Sequence, residues 1–430
     1  MANYSSYQCL LLFLLDIDWV GAPYGLLHEA HPAGNDAVMG LAAYKGIDLI
    51  YLMQIFTYSL CISSPRDISG NIRAFKRIVG SLRATGYDGH IILGVSKDIS
   101  TEEIAYLKEN QVTMYIVDFV ECDDTISTGG AVKGAIRGKC SKGLENLKLE
   151  WGRFEMCRQW LYACKACTGW SLVMDTRDIF FQAHPFADLP KASPSQKPKE
   201  DLLFIEEIAP HSSPDPNPVR SFIAGNFRNA AHILPCYGKE KYEPYAKRPV
   251  LCSGTVIGTR DGMHRFLSVL VTEFHSNNKK ENIKCRSPTT TDQWTMNWLY
   301  YNGYFGLPDQ TKTVPWGTGS VLTVGKSCIG ANRKSGASDI VWPKGKGLIE
   351  NMHEKMPNGM NRTAPVIHQF DRCGDWISEY FDDNSGQEVL FRDFNSLRTD
   401  QEREREKKKI EKRRKKIQAI AAANKRKSGA

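Results

Sequence analysis

The sequence predicts an α/β fold in which helices cover both faces of a largely buried sheet. Short apolar runs each end at polar or charged residues, and amphipathic segments separate several of them. Continuous apolar runs are typical of strands buried on both faces, and their alternation with helices favours a doubly wound sheet. With 430 residues, 42% of them hydrophobic, the chain is long enough for one large domain.

Four apolar runs are predicted strands, and each is followed by a polar residue. They are His90–Val95 before Ser96, Val112–Val117 before Asp118, Trp170–Met174 before Asp175, and Leu202–Ile205 before Glu206. Ligands of doubly wound sheets bind beyond the carboxyl ends of the strands, so these end residues are candidates for a site. A further apolar segment, Val250–Ile257, contains Gly254, which indicates a bulge or the close approach of a ligand.

The predicted helices include Phe75–Arg83 and Thr101–Glu109, the second capped by Ser100 or Thr101. Leu144–Lys165 is a third predicted helix, and Cys164 and Cys167 form a C-x-x-C pair at its end. The pair follows a helix, and the sequence has no second Cys pair at zinc-site spacing. This favours core or disulfide cysteines over a redox or metal role.

The charge of the chain is concentrated at one end. Residues 401–430 contain 13 basic and 4 acidic residues, whereas the other 400 residues contain 43 basic and 44 acidic ones. The net charge of +8 therefore belongs to a charged, helical or disordered tail, and it does not indicate a nucleic-acid-binding core.

The strongest candidate site follows the strand that ends at Met174, where the chain places Asp175, Arg177 and Asp178. Carboxylates at the end of a buried strand can hold a hard divalent cation, and such a cation can neutralise a departing diphosphate. Oxygen ligands favour Mg²⁺ or Mn²⁺ over zinc. The alternative is a structural ion pair between these carboxylates and Arg177.

The segment Asp175–Phe186, D-T-R-D-I-F-F-Q-A-H-P-F, resembles the D-x-R-D-x-x-F-Q-x-x-P-F block of eukaryotic GT-A nucleotide-diphospho-sugar transferases. Other segments resemble motifs of that family in the same order and cover about residues 65–372. They are Phe75–Asp98 (first helix and second strand), Gly152–Phe154 (A-R-F/L), Cys252–Gly258 (N-S-G-V-x-x-G), Asp292–Asn297 (D-Q-x-x-x-N) and Pro365–Gln369 (a late strand with a His).

The resemblance implies a GT-A-like doubly wound mixed sheet in a single large domain, with a role for each matched residue. Asp175, Asp178 and His368 would bind Mn²⁺ or Mg²⁺, and the catalytic residues on the acceptor side would be Asp292 and Gln293. The residues that would bind the donor are Arg153, Asp175, Arg177, Ser253 and Gly254.

The sequence departs from the family pattern at three places. The acidic pair is spaced D-x-x-D instead of D-x-D, and Cys252 stands where Asn is usual. The predicted first strand, Ala37–Ile47, is separated from the first helix by residues 48–66, which look like an insertion. The expected organisation is an N-terminal extension over 1–34, the transferase domain over 35–399 and the basic tail over 400–430.

The predicted function is metal-dependent transfer of a hexosyl or pentosyl group from a nucleotide-sugar donor to a glycan, protein or lipid acceptor. We expect the compartment to be the Golgi or another part of the secretory lumen, with membrane association left open. The alternatives are a non-catalytic carbohydrate-binding or scaffold protein, a nucleotidyltransferase and, more remotely, a hydrolase with paired carboxylates.

Overall fold

A computed structural model describes residues 25–42, 72–122, 139–176, 178–207, 234, 236–277, 285, 292–324, 349–356 and 361–370. Arg177, the suspected insertion at 48–66 and the basic tail lie outside the described part of the chain.

The described part of the chain is a mixed α/β structure built on a large mixed sheet. Its strands occur in the order β1-β4-β3-β2-β8-β11-β10-β12. These strands are β1 (Leu26–His28), β2 (Ala37–Leu41), β3 (His90–Ser96), β4 (Val112–Val117), β8 (Trp170–Asp175), β10 (Leu202–Glu206), β11 (Leu251–Thr259) and β12 (Thr311–Val314). The strands predicted to begin at residues 90, 112, 170, 202 and 250 are therefore confirmed, with bounds that agree to within a few residues.

Strand direction in the sheet is mixed. The strands β2, β3, β4 and β8 form a parallel block, whereas β11 runs antiparallel to both β8 and β10. The edge strand Leu26–His28 pairs antiparallel with β4 and lies within the segment assigned to an N-terminal extension. The carboxyl ends of β2 and β8 meet where Leu41 pairs with Asp175, so this edge gathers the strand-end residues.

Helices pack on both faces of the sheet, as the doubly wound prediction requires. One apolar core contains residues of the helices Leu149–Ala163, Arg260–Asn277 and Asp292–Tyr301. The other contains residues of Thr101–Glu109 and of the helical run Ile72–Phe75, Lys76–Gly80 and Ser81–Ala84, whose middle part is π-helical. The short helices Lys239–Tyr242 and Glu243–Tyr245 precede β11.

The helix Thr101–Glu109 begins as the sequence predicts. The Ser100 hydroxyl accepts a hydrogen bond from the backbone N–H of Glu103 at 3.2 Å, and the Glu103 carboxylate accepts one from the backbone N–H of Ser100 at 2.8 Å. This reciprocal capping box satisfies two backbone donors at the helix start.

The predicted start of the helix Leu144–Lys165 was wrong. The segment Leu144–Lys148 is a strand, β7, and the helix begins only at Leu149. In a small sheet, β7 pairs with β6 (Lys139–Ser141), which pairs with β5 (Phe119–Glu121). A disulfide joins Cys122, which directly follows β5, to Cys140 in the central strand β6. The helical spacing of the apolar residues continues backwards into Leu144 and Leu147, which are buried, so periodicity alone extended the helix too far.

Another small sheet, with the order β13-β16-β9, lies beyond the carboxyl end of β8. Its strands are β9 (Ile179–Phe181), β13 (Val321–Thr323) and β16 (Val366–His368), and β14 (Glu350–Lys355) pairs with β15 (Asn361–Thr363) beside it. Gln182 holds these parts together. Its amide donates to the carbonyls of Ile349 and Ala364 at 3.0 and 2.9 Å and accepts from the Ile349 N–H at 3.0 Å.

Disulfides also join Cys164 to Cys167 and Cys236 to Cys285, which confirms the disulfide interpretation of the C-x-x-C pair. Among the described residues, no helix combines the length and the apolar character needed to cross a membrane.

Replacing Gln182 tests how far this amide stabilises the small sheets. Gln182 is 3% exposed, so Gln182→Met removes the acceptor of the buried Ile349 N–H and one donor from each of the Ile349 and Ala364 carbonyls. We expect the free energy of unfolding to fall by about 2–4 kcal/mol. The control Gln196→Met changes an exposed loop side chain and should shift stability by less than about 0.5 kcal/mol. Urea unfolding measures both, and equal midpoints for the two variants would contradict the proposed role.

Candidate functional site

The site begins at the carboxyl end of β8, where Asp175 is the last residue of the strand. Hydrogen bonding to β2 on one side and β11 on the other fixes the direction of this strand end. The Asp175 side chain is 35% exposed, while those of Asp178 and His368 are 3% and 0% exposed. Asp175 is therefore the carboxylate through which the site opens to solvent.

Strand pairing brings Asp178 and His368 together across 190 residues of sequence. Asp178 immediately precedes β9, and His368 is the last residue of β16. The two strands are antiparallel with His368 opposite Ile179, and the N–H of Gln369 donates to the Asp178 carbonyl at 2.7 Å. Backbone hydrogen bonds thus determine that the two side chains are neighbours.

Asp175, Asp178 and His368 converge as the sequence led us to expect. His368 Nε2 lies 3.6 Å from Asp178 Oδ1 and 3.9 Å from Asp175 Oδ2. One potential ligand atom from each residue lies within 4.8 Å of the other two. Two ligands held about 2.1 Å from one ion are at most about 4.2 Å apart, so both His368 separations fit a shared divalent cation.

The ring of His368 is oriented by contacts on its other nitrogen. His368 Nδ1 lies 3.3 Å from the Thr323 hydroxyl and 3.5 Å from Cys252 Sγ. If Nδ1 carries the proton and donates it to one of these atoms, Nε2 presents its lone pair to the carboxylates. Outer contacts of this kind fix the tautomer of metal-binding histidines. Sequence reasoning missed Thr323. Its role is visible only from its position opposite His368 in the parallel pair β13–β16.

Gly254 allows β11 to pass directly beneath these ligands. A Cβ atom at this position would lie 2.6 Å from Asp175 Oδ2 and 2.7 Å from His368 Nε2. These distances are shorter than any ordinary contact, so a side chain here would displace one of the two groups. Gly254, for which the sequence predicted a bulge or the close approach of a ligand, therefore lies against the candidate site itself.

Arg153 connects the site to the helix that starts at Asp292. Its guanidinium forms ion pairs with Asp175 through Nη1 and with Asp292 through Nη2. Nη2 also lies 3.4 Å from the Ser253 carbonyl oxygen. Arg153 is 6% exposed and packs over the Phe154 ring at 4.5 Å, so the guanidinium is held from several sides. Buried ion pairs of this geometry fix the side chains that form them.

The three residues of the Asp292 motif have different surroundings. Asp292 faces Arg153, and it also accepts from the Gln293 N–H at 2.9 Å as the first residue of its helix. The Gln293 side chain instead donates to the Leu251 carbonyl at 3.1 Å, and Asn297 bonds both the N–H and the carbonyl of Leu251 at 2.8 Å. Gln293 and Asn297 thus tie this helix to β11, and the catalytic role expected of Gln293 stays a prediction.

Two further residues were predicted to bind the donor. Ser253 contributes its carbonyl oxygen beside Arg153, whereas Arg177 lies outside the described residues.

Of the described cysteines, Cys157 and Cys252 are not in disulfides. Burial raises the pKa of Cys157 to about 12, so this thiol stays protonated at neutral pH and is a poor metal ligand.

Filling the space at Gly254 tests the site directly. Gly254→Ala places a methyl group against Asp175 and His368, and we expect the affinity for Mn²⁺ to fall at least about tenfold. Gly152→Ala is the matched control, because a Cβ there meets nothing closer than 3.6 Å and alanine favours the helix. Calorimetric titration with Mn²⁺ measures both variants. Unchanged affinity in Gly254→Ala would show that the cation, if bound at all, lies elsewhere.

No protein-family model matches the sequence, and no curated protein matches it.

Proposed function

We propose that this protein is a metal-dependent glycosyltransferase of the GT-A type that uses a nucleotide-diphosphate sugar. The observation that supports this best is the convergence of Asp175, Asp178 and His368 at the carboxyl end of β8, with Gly254 directly beneath them. These four residues belong to three of the segments that resemble the family motifs. Separate parts of the sequence thus contribute to one site.

The electrostatics of the site favour a divalent cation. The carboxylates of Asp175, Asp178 and Asp292 carry three formal negative charges, and Arg153 balances one of them. Two formal negative charges then remain, which one divalent ion neutralises. A donor set of two carboxylates and one imidazole suits Mn²⁺ better than Mg²⁺, because Mg²⁺ strongly prefers oxygen. Bound there, the cation would stabilise the departing nucleoside diphosphate.

The roles of the surrounding residues follow from their contacts. Asp175, the exposed carboxylate, faces the donor diphosphate, while Asp178 and His368 hold the buried side of the metal site. Ser253 and Gly254 line the sugar subsite through their backbone. Arg153 holds Asp175 and Asp292 at a fixed separation, so a sugar bound between them meets groups that are already oriented.

Asp292 is the candidate for accepting the proton of the acceptor hydroxyl or for stabilising positive charge on the sugar. It is 8% exposed, and its carboxylate forms an ion pair with Arg153 beside the candidate metal site. The transition state of glycosyl transfer resembles an oxocarbenium ion, to which a nearby carboxylate is complementary.

A non-catalytic carbohydrate-binding protein is the second candidate. The double ion pair of Arg153 favours it, because a guanidinium already neutralises part of the carboxylate charge at the site. The nucleotidyltransferase alternative has no such support. Three disulfides among the described residues fit an oxidising compartment, and we propose the secretory lumen as the location.

Donor hydrolysis distinguishes the enzyme from the binding protein. We expect a screen of UDP- and GDP-sugars to show hydrolysis of one donor class that depends on Mn²⁺. Asp178→Asn should lower kcat at least about 100-fold, since it removes a buried ligand charge. Asp118→Asn is the control, because Asp118 also follows a strand of the sheet but is paired with Lys97 at 2.8 Å. Donor binding without turnover, in wild type and in both variants, would support the second candidate instead.

Asp292→Asn separates catalysis from metal binding. If Asp292 acts on the acceptor or the sugar, kcat for donor hydrolysis should fall about 100-fold while the Kd for Mn²⁺ changes less than about threefold. Titration of Mn²⁺ followed by electron paramagnetic resonance gives the Kd for the same sample. A parallel loss of both would place Asp292 in the metal site, through its link to Asp175, and would remove its catalytic role.

A further inference from the structure

A second group of side chains that could ligate a metal lies at the other end of the strands of the large sheet. His90 is the first residue of β3, Cys164 follows the helix Leu149–Ala163, and Cys167 lies three residues before β8. A ring nitrogen of His90 and the two sulfur atoms lie within 4.8 Å of one another. These residues stand at the amino ends of the strands, whereas the site at Asp175 lies beyond their carboxyl ends.

The loop that carries the two cysteines is held by hydrogen bonds independent of the disulfide. The Arg260 guanidinium donates to the carbonyls of Cys164 and Cys167 at 2.5 and 2.8 Å. The N–H of Cys164 donates to the Trp160 carbonyl at 2.9 Å, and the N–H of Cys167 to the Cys164 carbonyl at 3.3 Å. Opening the disulfide therefore leaves both sulfur atoms in the same loop beside His90.

His90 supplies the observation that points to a ligand. It is 6% exposed, and within the described residues its Nε2 atom is buried without a hydrogen-bond partner. A buried polar atom without a partner costs free energy that a bound ion would recover. Burial, together with the nearby Arg83 guanidinium, also lowers the pKa of His90, which favours the neutral ring that metals bind.

We propose that Cys164, Cys167 and His90 form a redox-controlled zinc site, which binds Zn²⁺ when the disulfide is reduced. Two thiolates and an imidazole are the soft ligands that zinc selects, and C-x-x-C is a spacing found in zinc sites. Cys164 is half-buried, so solvent can supply a fourth ligand. Tetrahedral zinc places such ligand atoms about 3.5–3.8 Å apart. The two sulfur atoms are bonded to each other in this structure, so they must separate to that distance once the disulfide opens, while the His90 nitrogen already lies within 4.8 Å of both.

Disulfide and metal are mutually exclusive states of these residues. A dithiol reduces the bond by attack of its thiolate on Cys164, which releases Cys167, and its second thiol then releases Cys164. The reductant leaves as its cyclic disulfide, and the protein gains two thiols. When Zn²⁺ binds, the two thiol protons pass to solvent.

Cobalt provides the test, because Co²⁺ bound by thiolates has a charge-transfer absorption that carboxylate sites lack. The full chain, reduced with dithiothreitol and desalted without oxygen, should show this absorption, which should correspond to one thiolate-bound Co²⁺ per chain, and Zn²⁺ should abolish it. The oxidised chain and the Cys164→Ser/Cys167→Ser variant should not show it. His90→Ala should weaken Co²⁺ binding at least about tenfold.

Two further variants serve as controls. Cys122→Ser/Cys140→Ser removes another disulfide and should leave the absorption unchanged, as should Asp178→Asn, which alters the other candidate metal site. Absence of the absorption in the reduced wild type, or its persistence without Cys164 and Cys167, would overturn the proposal. If His90→Ala binds Co²⁺ with the same affinity as the reduced wild type, His90 is not a ligand and the proposed three-residue site is wrong.

Discussion

The antiparallel pairing of β16 with β9 is the constraint on which the candidate site depends. It places His368 opposite Ile179, and the Gln369 N–H then bonds the carbonyl of Asp178. A slip of one residue would turn His368 to the other face of this small sheet and remove it from the carboxylates. The parallel partner β13 adds Thr323 on the far side of the His368 ring, so the same pairing that brings the imidazole in also orients it.

Asp175 ends a strand of the large sheet and Asp292 begins a helix, and Arg153 is the charge that makes the approach of these two carboxylates favourable. Without a cation between them, Asp175 and Asp292 would repel each other in a partly buried region, where repulsion is stronger than in water. Arg153 comes from the helix Leu149–Ala163 and pairs with both carboxylates. Its long side chain is immobilised by the Phe154 ring and by the Ser253 carbonyl, which lowers the entropy that remains to be lost when a ligand binds.

The central strands could be predicted from the sequence. Because helices cover both faces of the sheet, these strands need apolar residues on both faces, and this gives continuous apolar runs. Sequence patterns also predicted that strand-end acids would lie at one edge, since parallel strands end together. They failed at Leu144–Lys148, where apolar residues keep a helical spacing although the segment is the strand β7. Its pairing partner, β6, carries the disulfide from Cys140 to Cys122. Neither the pairing of Arg153 with Asp292 nor the place of Thr323 could be predicted without the resemblance or the fold, because such contacts depend on tertiary packing that leaves no local period.

The spacing of the acidic pair, D-x-x-D instead of D-x-D, also has a physical explanation. In an extended strand, side chains two residues apart share a face, so a D-x-D pair suits a continuous strand. Here β8 ends at Asp175 and β9 begins at Ile179, so the chain turns from the large sheet into the small one between the two carboxylates. Across that turn a separation of three residues directs both carboxylates to His368 Nε2, at 3.9 and 3.6 Å. The extra residue therefore compensates for the change of sheet, and both aspartates remain available to one cation.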